Sequence, residues 1–336
     1  MKSILYVGDG AGIRGYIEKY NVPFNYKEII TESYIIKSSV FRHLNYFKTA
    51  LRALLFCKKF DNIVFWQQYI ALYSIFLMKL FPFHNKEKKI YIYYILYKKS
   101  NHTFFNSIKE SFFLYLINDK RVAKAVFFSS NDYLFSKIID SKRVVIDFKT
   151  KNVGYHNTEV ESSIQDKDNS YFFSGGTSNR NYDLLISAFD GLDKKLVICC
   201  KPDNIKTKKR SNNIEIYFDR YGEDFNKLLM NSVALVLAFE DKVTVSGQLV
   251  ILKALEYGKI IFIEDCAMIN EGLWSIRDKS FVRVFDSKKT LIELIEKFDY
   301  ENQNMYSDDA KKYYELITKN DNLFDTVLNE ILLKNN

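Results

Sequence analysis

Three short runs of the sequence place glycine and small polar residues where an apolar strand gives way to a helix. The strongest signal is the run Val245-Ser246-Gly247-Gln248, which follows the apolar residues 233–239 and opens the apolar segment 249–255. Glycine and serine at a helix start leave backbone N–H groups uncovered, and the aligned peptide dipoles add positive potential at that end. The chemistry that such a turn supports is the binding of a phosphate or pyrophosphate.

This stretch continues into a second strand. The helical segment ends at Gly258, and residues 260–263 form another apolar run of strand length. Strand, turn, helix, glycine and strand make one βαβ unit with parallel strands. An ordinary crossover helix with a small N-terminal cap would leave the same pattern, so the stretch alone leaves both interpretations open.

Two further runs have the same form. A strand at 171–173 ends in Ser174-Gly175-Gly176-Thr177-Ser178-Asn179-Arg180, and a helix to residue 189 follows. A strand at 3–7 leads into Gly8-Asp9-Gly10-Ala11-Gly12. With one such turn early in the chain and two late, the sequence predicts two nucleotide-type α/β lobes facing a cleft.

The rest of the chain supplies the strands and helices that such lobes need. Apolar runs of strand length alternate with longer segments of helical period in both halves, which favours two doubly wound sheets. In the first half the strands are expected at 3–7, 28–31, 62–66, 89–97, 123–128 and 144–148, and the helices from about 13, at 39–59, 71–80 and 105–117, and from the cap Ser129-Ser130-Asn131 to 139. In the second half the strands are expected at 171–173, 196–199, 214–217, 233–239, 260–263 and 281–285, and the helices to 189, at 225–230, 249–255 and 289–298, and from 308 to the end.

The predicted domain organisation follows from this alternation. Residues 1–150 are expected to form one Rossmann-like domain and residues 171–336 a second, whose C-terminal helices are expected to return towards the first. Between them, residues 151–170 are mostly polar and charged and read as a linker. At 336 residues, two domains of ordinary size are the better expectation than one very large domain.

Charge is divided unevenly between the halves. Residues 1–150 carry 24 Lys and Arg against 11 Asp and Glu, a net charge of +13, whereas the remainder carries 25 against 30, a net charge of −5. In the first half the basic residues alternate with Phe, Tyr and Trp clusters. Anionic lipid headgroups and nucleic acid would both suit such a surface, and a solvated face without a partner would look the same. No nucleic-acid-reading motif accompanies the charge, so nucleic acid is not an expected partner.

Several functional classes are disfavoured by what the sequence lacks. The four cysteines show no CxxC spacing and the four histidines are scattered, so no metal site is expected and the cysteines read as reduced core residues. Met1 and Lys2 run straight into a strand, so no signal peptide is expected. The longest apolar run, 63–78, is interrupted by Gln67 and Gln68 and is too short to span a bilayer. A cytoplasmic protein is the expectation.

A dinucleotide fingerprint competes with this interpretation. Gly10-Ala11-Gly12-Ile13-Arg14-Gly15 matches GxGxxG after a strand, and Glu32 follows about twenty residues on, as an NAD- or FAD-dependent oxidoreductase would require. However, Gly8 already ends the strand, so the match is displaced along the turn, and Glu32 is not expected to end a strand.

Taken together, the three turns resemble those of the GT-B glycosyltransferases, two-lobed enzymes that use sugar nucleotides. Ser246-Gly247-Gln248 with Ala254-Leu255 and Gly258-Lys259 is similar to the donor-site helix of bacterial cell-surface polysaccharide transferases, and the run from Ser174 to Arg180 to the first donor-lobe turn. Gly8-Asp9-Gly10-Ala11-Gly12 resembles the acceptor-lobe turn of the lipid-linked peptidoglycan N-acetylglucosaminyltransferase. The resemblance implies the GT-B fold, with residues 1–150 as the acceptor-binding domain and residues 171–336 as the donor-binding domain. It also implies sugar transfer from a nucleotide diphosphate sugar, expected to be UDP-linked, in capsule, exopolysaccharide or lipopolysaccharide synthesis.

One departure affects ribose recognition. Retaining members pair two glutamates eight positions apart around the donor-site helix, and Val245 and Lys253 stand at those positions here. The second glutamate of the family receives the ribose hydroxyls, whereas a lysine ammonium can only donate hydrogen bonds. Ribose recognition must therefore differ, or Glu256, one turn on, takes part; inversion and retention both stay open.

The site residues implied by the resemblance fall into three groups. Donor contacts are expected from Gly175, Gly176, Thr177, Arg180, Lys201, Glu240, Ser246, Gly247, Gln248 and Lys253, with backbone amides and Arg180 stabilising the leaving diphosphate without a metal or other cofactor. Acceptor contacts are expected from Gly8, Gly10 and Gly12. Asp9 is the candidate base for an inverting reaction, ahead of His156 and His102, although it could simply shape a glycine-rich turn.

The expected partners are a nucleotide-sugar donor, a lipid-linked or saccharide acceptor and an anionic membrane surface. The basic first half fits an acceptor tethered to an undecaprenyl-type lipid, which predicts a peripheral enzyme on the inner face of the cell membrane. A binding module without catalysis, degenerate at the two glutamate positions, is a further alternative.

Overall fold

The computed structural model describes residues 3–10, 25–36, 38–81, 88–97, 103–127, 129–130, 132–145, 170–207, 211–270, 275–298, 303–318 and 331. The chain divides into two compact units, Met1–Asp147 together with Asp321–Asn336, and Phe148–Asn320. The predicted linker, 151–170, lies outside the described residues except for Ser170.

The first unit is built on a parallel sheet of six strands. Each central strand is a short apolar run buried on both faces, as parallel sheets covered by helices require. The strands are β1 (Ser3–Asp9), β2 (Asn25–Thr31), β3 (Asn62–Phe65), β4 (Lys89–Ile95), β5 (Val122–Phe127) and β6 (Arg143–Val145), and the described helices are α1 (Ser39–Cys57), α2 (Gln68–Leu80) and α3 (Thr103–Ile117). Leu5, Phe65 and Phe127 pack against Ala50 of α1 and Ile75 of α2 in one core.

The strand order of this sheet is β2-β1-β3-β4-β5-β6, and every pairing is parallel. The chain leaves β1 towards one edge and leaves β3 towards the other, so the connections reverse direction between these two strands. In open α/β sheets, ligands bind outside the carboxyl ends of the strands at such a reversal. The ends of β1 and β3 are therefore the positions of interest in this unit.

The second unit repeats the design with a second six-stranded parallel sheet of order β12-β11-β10-β7-β8-β9. Its connections reverse between β7 and β10, which are direct neighbours. The strands are β7 (Tyr171–Gly175), β8 (Lys195–Cys200), β9 (Ile214–Phe218), β10 (Ala234–Leu237), β11 (Ile260–Glu264) and β12 (Val282–Phe285), and the described helices are α4 (Tyr182–Phe189), α5 (Glu223–Met230), α6 (Gln248–Glu256), α7 (Lys288–Glu296) and α8 (Gln303–Thr318). Phe172, Val236 and Phe262 share a core with Phe189 and Leu291.

One predicted helix is wrong. The segment expected to form a helix from Ser129 to residue 139 contains one short 3₁₀ turn, Phe135–Lys137, and a second, Asp140–Lys142, follows it. The Asp132 carboxylate accepts hydrogen bonds from the backbone N–H of Leu134, at 2.9 Å, and of Tyr97, at 3.1 Å. A side chain that bonds its own backbone two residues on stabilises a turn, and this competes with helix formation.

A buried ion pair holds the loop between α3 and β5 in the first unit. The Asp119 carboxylate accepts hydrogen bonds from Arg121 Nε at 2.8 Å and Nη2 at 3.0 Å, and Lys79 Nζ lies 2.9 Å from Oδ2. Burial raises the pKa of Asp119, but the hydrogen bonds from Arg121 and Lys79 outweigh it and hold the pKa well below its usual value. The carboxylate is therefore charged in the folded protein at neutral pH.

We expect Asp119→Asn to lower the free energy of unfolding by about 3 kcal/mol, because the change leaves buried cations without their partner. Since the folded pKa of Asp119 is depressed, its contribution is present above pH 4 and is lost as the pH falls through the folded value. Urea denaturation at neutral pH measures the loss. The control is Asp224→Asn, which breaks the exposed pair with Arg220 and should change stability by less than about 1 kcal/mol. Equal losses in the two variants would contradict the prediction.

Candidate functional site

The turn after β7 lies at the connection reversal of the second sheet. Gly176 has φ of 123°, and its N–H donates to Cys199 O on the neighbouring strand at 3.1 Å. Asn181 then caps α4 by accepting a hydrogen bond from Leu184 N–H at 3.1 Å, and its own N–H donates to Ala238 O at 3.0 Å. The turn is thereby tied to the ends of both neighbouring strands, β8 and β10.

Arg180 is the central side chain of this turn. Only 6% of it is exposed, and its guanidinium donates from Nε to Gly175 O at 3.3 Å and from Nη1 to Ser178 O at 2.9 Å and Ser246 Oγ at 3.3 Å. Its Cζ lies 5.4 Å from the ring centroid of Phe239. Among the described residues, no Asp or Glu pairs with it.

A buried guanidinium without a carboxylate is costly, because burial disfavours the charged form. Burial does lower the pKa of Arg180, yet an arginine guanidinium keeps its proton at neutral pH. The turn therefore holds a positive charge that the described protein groups solvate only with carbonyl and hydroxyl oxygens. The electrostatic complement to such a position is an anion.

The start of α6 adds positive potential at the same place. Ile251 N–H donates to Gly247 O at 3.0 Å, so the amides of residues 248–250 precede the first intrahelical hydrogen bond and point out of the helix. Gly247 is the N-terminal cap with φ of 98°, and the first turn contains no acidic residue. A nine-residue helix thus directs its positive end at the Arg180 turn.

Asn179 joins the two loops. Its side-chain N–H group donates to Asp241 O at 2.8 Å and to Ser246 Oγ at 3.1 Å, and its Oδ1 accepts from Asp241 N–H at 2.8 Å. Asn179 itself has φ of 55°, a conformation that asparagine adopts more readily than most residues. The loop after β10 is consequently held in register with the turn after β7.

Glycine is required at two of these positions. A Cβ at Gly176 would lie 3.1 Å from Arg180 Nη2, and a Cβ at Gly247 would lie 3.2 Å from the same atom. Both residues also have positive φ, where L side chains are strained. The guanidinium thus lies between two glycine backbones, and no hydrogen bond from Nη2 occurs among the described residues.

The structure brings five of the predicted donor residues together and changes the role expected of one backbone amide, that of Gly176. Gly175, Gly176, Arg180, Ser246 and Gly247 converge as described. The Gly176 amide already donates to Cys199 O, so it is not available to a ligand as the sequence predicts. Thr177 is exposed, and its carbonyl accepts from Asn204 Nδ2 at 3.1 Å.

Other predicted donor residues are engaged elsewhere. Lys253 is buried, and its ammonium pairs with Glu256 at 2.7 Å. Glu240 is half exposed and lies 3.4 Å from Lys206 Nζ. Lys201 is exposed, and its backbone N–H donates to Asn204 Oδ1 at 3.2 Å. The Gln248 side chain is buried in the first turn of α6.

Glu264 is a structural member of the site that the sequence analysis did not single out. This glutamate ends β11 and is 3% exposed; it accepts from Phe239 N–H at 2.8 Å and pairs with Lys242 at 2.9 Å. It therefore anchors both sides of the loop that carries Glu240 and Asp241. The signal available in the sequence was a glutamate at the end of a fully apolar strand, Ile260–Glu264.

In the first unit, Asp9 stands at the end of β1, at the connection reversal. Its carboxylate accepts from Ser33 N–H at 2.6 Å and from the Tyr46 hydroxyl at 3.1 Å. These contacts tie the end of β1 to the segment after β2 and to α1, so Asp9 has a structural role there. Burial, followed by the Asp9 carboxylate, raises the pKa of Tyr46, which keeps the tyrosine a hydrogen-bond donor.

The predicted acceptor glycines surround Asp9. Gly8 lies against the buried ring of Tyr6, and Gly10 has φ of 99° and donates from its N–H to Thr31 O at 2.7 Å. Gly12, His102 and His156 lie outside the described residues. Strand β1 extends to Asp9, so the expectation that Gly8 ends it is wrong. Strand β2 ends at Thr31, and Glu32 directly follows it; residues 11–15 of the GxGxxG match are outside the described residues.

His43 is a second group in this region that sequence reasoning missed. Its Nδ1 lies 2.9 Å from the Tyr73 hydroxyl, and its ring meets those of Tyr46 and Tyr69 edge-on, with centroids 5.8 Å and 4.6 Å away. Burial lowers the pKa of His43, and the charges of Arg42 and Lys109 lower it further. The imidazole is therefore neutral at pH 7, packed beside the tyrosine that bonds Asp9.

Within the described residues, no group of three His, Cys, Asp or Glu could hold a metal ion. The expectation that the protein works without a metal or other cofactor stays a prediction.

No protein-family model matches the sequence, and no characterised protein matches it at the sequence level. Solved structures, however, are similar over almost the full chain. HepE of Anabaena in complex with UDP and glucose has a TM-score of 0.63 at 10% identity, covering 98% of this chain and 100% of that one. A trehalose-6-phosphate protein of E. coli bound with UDP-2-fluoro glucose has a TM-score of 0.67 at 9% identity, covering 98% and 99%.

An alpha-glucosyltransferase in complex with UDP-glucose and DNA is similar at a TM-score of 0.57 and 12% identity, over 98% of this chain and 99% of that one. At such identities the likeness establishes the fold. The chain has the α/β GT-B fold, with two Rossmann-like units, as the sequence predicts.

We expect Gly247→Ala to lower the free energy of unfolding by more than Gly191→Ala. Both glycines have positive φ, 98° and 85°, so each alanine should cost about 1 kcal/mol of backbone strain. A Cβ at Gly191 meets nothing within 4 Å, whereas one at Gly247 meets Arg180 Nη2 at 3.2 Å. Urea denaturation of both variants measures the difference. If Gly247→Ala lowers the free energy of unfolding no more than Gly191→Ala does, Arg180 Nη2 does not lie against Gly247.

We expect the wild-type protein to lose stability relative to His43→Phe as the pH falls from 7.5 to 5. The folded pKa of His43 is below its ordinary value of 6.5, so the unfolded chain binds more protons and stability falls as the pH drops below that value. Phenylalanine preserves the edge-on ring contacts without a titrating group. Denaturant midpoints of both proteins across this range test the difference, and parallel pH profiles would refute the assignment.

Proposed function

We propose that the protein is a glycosyltransferase that moves a sugar from a nucleotide diphosphate sugar, UDP-linked, to a hydroxyl acceptor. The observation that carries the proposal is the buried, carboxylate-free guanidinium of Arg180 between the Gly176 turn and the start of α6. The likeness to structures solved with UDP, UDP-glucose and UDP-2-fluoro glucose supports the choice of donor.

The chemistry follows from the charge that develops. The acceptor oxygen forms a bond to the anomeric carbon, the bond from that carbon to the diphosphate oxygen breaks, and negative charge collects on the departing UDP. We infer that Arg180 and the amides at the start of α6 bind that diphosphate, since such preorganised donors stabilise charge as it forms. The ordered hydrogen bonds of Asn179 and Glu264 keep both loops in place before the donor arrives.

Ribose recognition is proposed to use the Lys253–Glu256 pair. Lys253 stands where retaining relatives carry a glutamate, and its ammonium pairs with Glu256 at 2.7 Å. In this arrangement Glu256 supplies the acceptor oxygens that ribose hydroxyls need, and Lys253 orients them. Lys201 and Glu240 are retained as proposed donor contacts on the exposed loops beside the site.

The acceptor is proposed to be lipid-linked or a saccharide, in capsule, exopolysaccharide or lipopolysaccharide synthesis, at an anionic membrane surface on the cytoplasmic side. The support is the net charge of +13 on residues 1–150. If the reaction inverts the anomeric centre, Asp9 takes the acceptor proton, because it ends β1 at the connection reversal of the first sheet. Gly8, Gly10 and Gly12 are proposed to let the acceptor approach that turn.

Isothermal titration of UDP into the wild-type protein and into Arg180→Gln and Arg180→Lys tests the donor site. We expect Arg180→Gln to weaken binding roughly 10- to 100-fold, since charge-assisted hydrogen bonds to phosphate are lost, and Arg180→Lys to lie between. The matched control is Arg283→Gln, because Arg283 is in β12 and donates to Ser280 O. Circular dichroism confirms that each variant folds.

The same titration with NAD distinguishes the oxidoreductase alternative, which uses the first unit. Preferential binding of NAD, or UDP affinity unchanged in folded Arg180→Gln, would overturn the proposal. UDP binding that needs Arg180, without transfer or hydrolysis from any of a panel of UDP-sugars, would instead indicate a binding module without catalysis.

A further inference from the structure

Helix α1 carries two apolar faces, and the fold uses one of them. Its inner face, with Tyr46, Ala50, Ala53, Leu54 and Cys57 buried, packs into the first core. Its opposite face presents Val40, Leu44, Phe47, Leu51 and Leu55, here called the outer stripe, which are between 37% and 74% exposed.

The outer stripe is continuous along the helix. Its members are spaced by four, three, four and four residues, so at 100° per residue they occupy a sector of roughly 80° on one side of the helix. Phe41, 65% exposed, borders this sector near the start of the helix. Scattered exposed apolar residues need no explanation, but a contiguous apolar strip along a whole helix marks an interaction surface.

Basic residues flank the outer stripe. Lys48 and Arg52 are exposed on the adjoining side of α1, and Lys58 and Lys59 are exposed directly after it. None of these four residues forms an ion pair in the described part of the chain. No Asp or Glu occurs between Glu32 and Asp61 in the sequence, so the stripe borders only positive charge.

We propose that the outer stripe of α1 inserts into an anionic bilayer surface, with the helix lying parallel to it. An apolar stripe bordered by Lys and Arg is the pattern of helices that lie in the lipid interface, where the long basic side chains extend to the headgroups. Contact with a second copy through the same stripe would instead bring the cations of both copies together, which opposes that pairing. Among the described residues, no helix has the length and hydrophobicity to cross a bilayer.

This inference deepens the proposed membrane location by assigning it to one helix face and to apolar insertion as well as charge. It does not depend on the donor site, because it concerns the first unit and is measured without nucleotide. The probes are vesicles of phosphatidylcholine alone and of phosphatidylcholine with phosphatidylglycerol, and the measurement is flotation at low and high salt.

The test compares wild type with the triple variant Leu44→Gln, Leu51→Gln and Leu55→Gln. These side chains are exposed, so the variant should fold, and we expect its partition into anionic vesicles to fall at least about tenfold at both salt concentrations. The matched control changes two exposed residues of α8, Met305→Gln and Leu316→Gln, and should partition like wild type. Lys48→Gln with Arg52→Gln should weaken partition at low salt only, since salt screens the charge.

Insertion has its own spectroscopic readout. Phe47→Trp places an indole in the outer stripe, and its fluorescence should shift to shorter wavelength and be quenched by brominated lipids when anionic vesicles are added, relative to the wild-type protein. Wild type that does not float with anionic vesicles, or a triple variant that floats like wild type, would overturn the proposal. So would sedimentation showing a wild-type dimer that the triple variant dissociates, since the stripe would then be an interface between copies.

Discussion

The loops at the centre of the second unit are arranged around one guanidinium, which is buried without a carboxylate partner among the described residues. Arg180 is 6% exposed, and its described hydrogen bonds go to two carbonyl oxygens and one hydroxyl. Neutral acceptors solvate a cation only partly, so the positive charge remains available to an external anion. Two glycines at positive φ, a loop fixed by Asn179 and a buried glutamate at the end of β11 together create the space that this side chain occupies.

Both units place their polar turns at the same topological point. In each six-stranded parallel sheet the connections reverse direction between two central strands, β1 and β3 in one and β7 and β10 in the other. Helices cover the sheet faces, so the loops at the carboxyl ends are free to carry polar groups where these connections diverge. Asp9 and Arg180 stand at these points with opposite charge. One is a carboxylate that accepts hydrogen bonds from its own unit, and the other is a cation without a described anion.

Within the first unit, the two faces of α1 have different compositions and different roles. Small and aromatic residues on the inner side pack against the sheet, and Tyr46 also bonds Asp9 at 3.1 Å. The outer stripe is largely exposed, and its Phe47 ring meets Tyr73 at the edge of that core, with the ring centroids 5.7 Å apart. An exposed apolar stripe lowers the solubility of a protein unless a partner covers it. The basic residues beside this stripe indicate that the partner is an anionic lipid surface.

The sequence by itself determined the fold class and the positions of its turns, because strands buried on both faces are continuous apolar runs and the glycine turns follow them directly. Residues 260–263 and 196–199 were recognisable as strands for this local reason. It did not determine the segment 132–139, where the Asp132 carboxylate replaces a helix with turns by accepting hydrogen bonds from Leu134 and from Tyr97, which follows β4. Nor could it assign Glu264 to Phe239 and Lys242. Those pairings depend on which side chains the folded backbone brings within a few ångströms, and spacing along the chain carries no information about contacts between loops far apart in sequence.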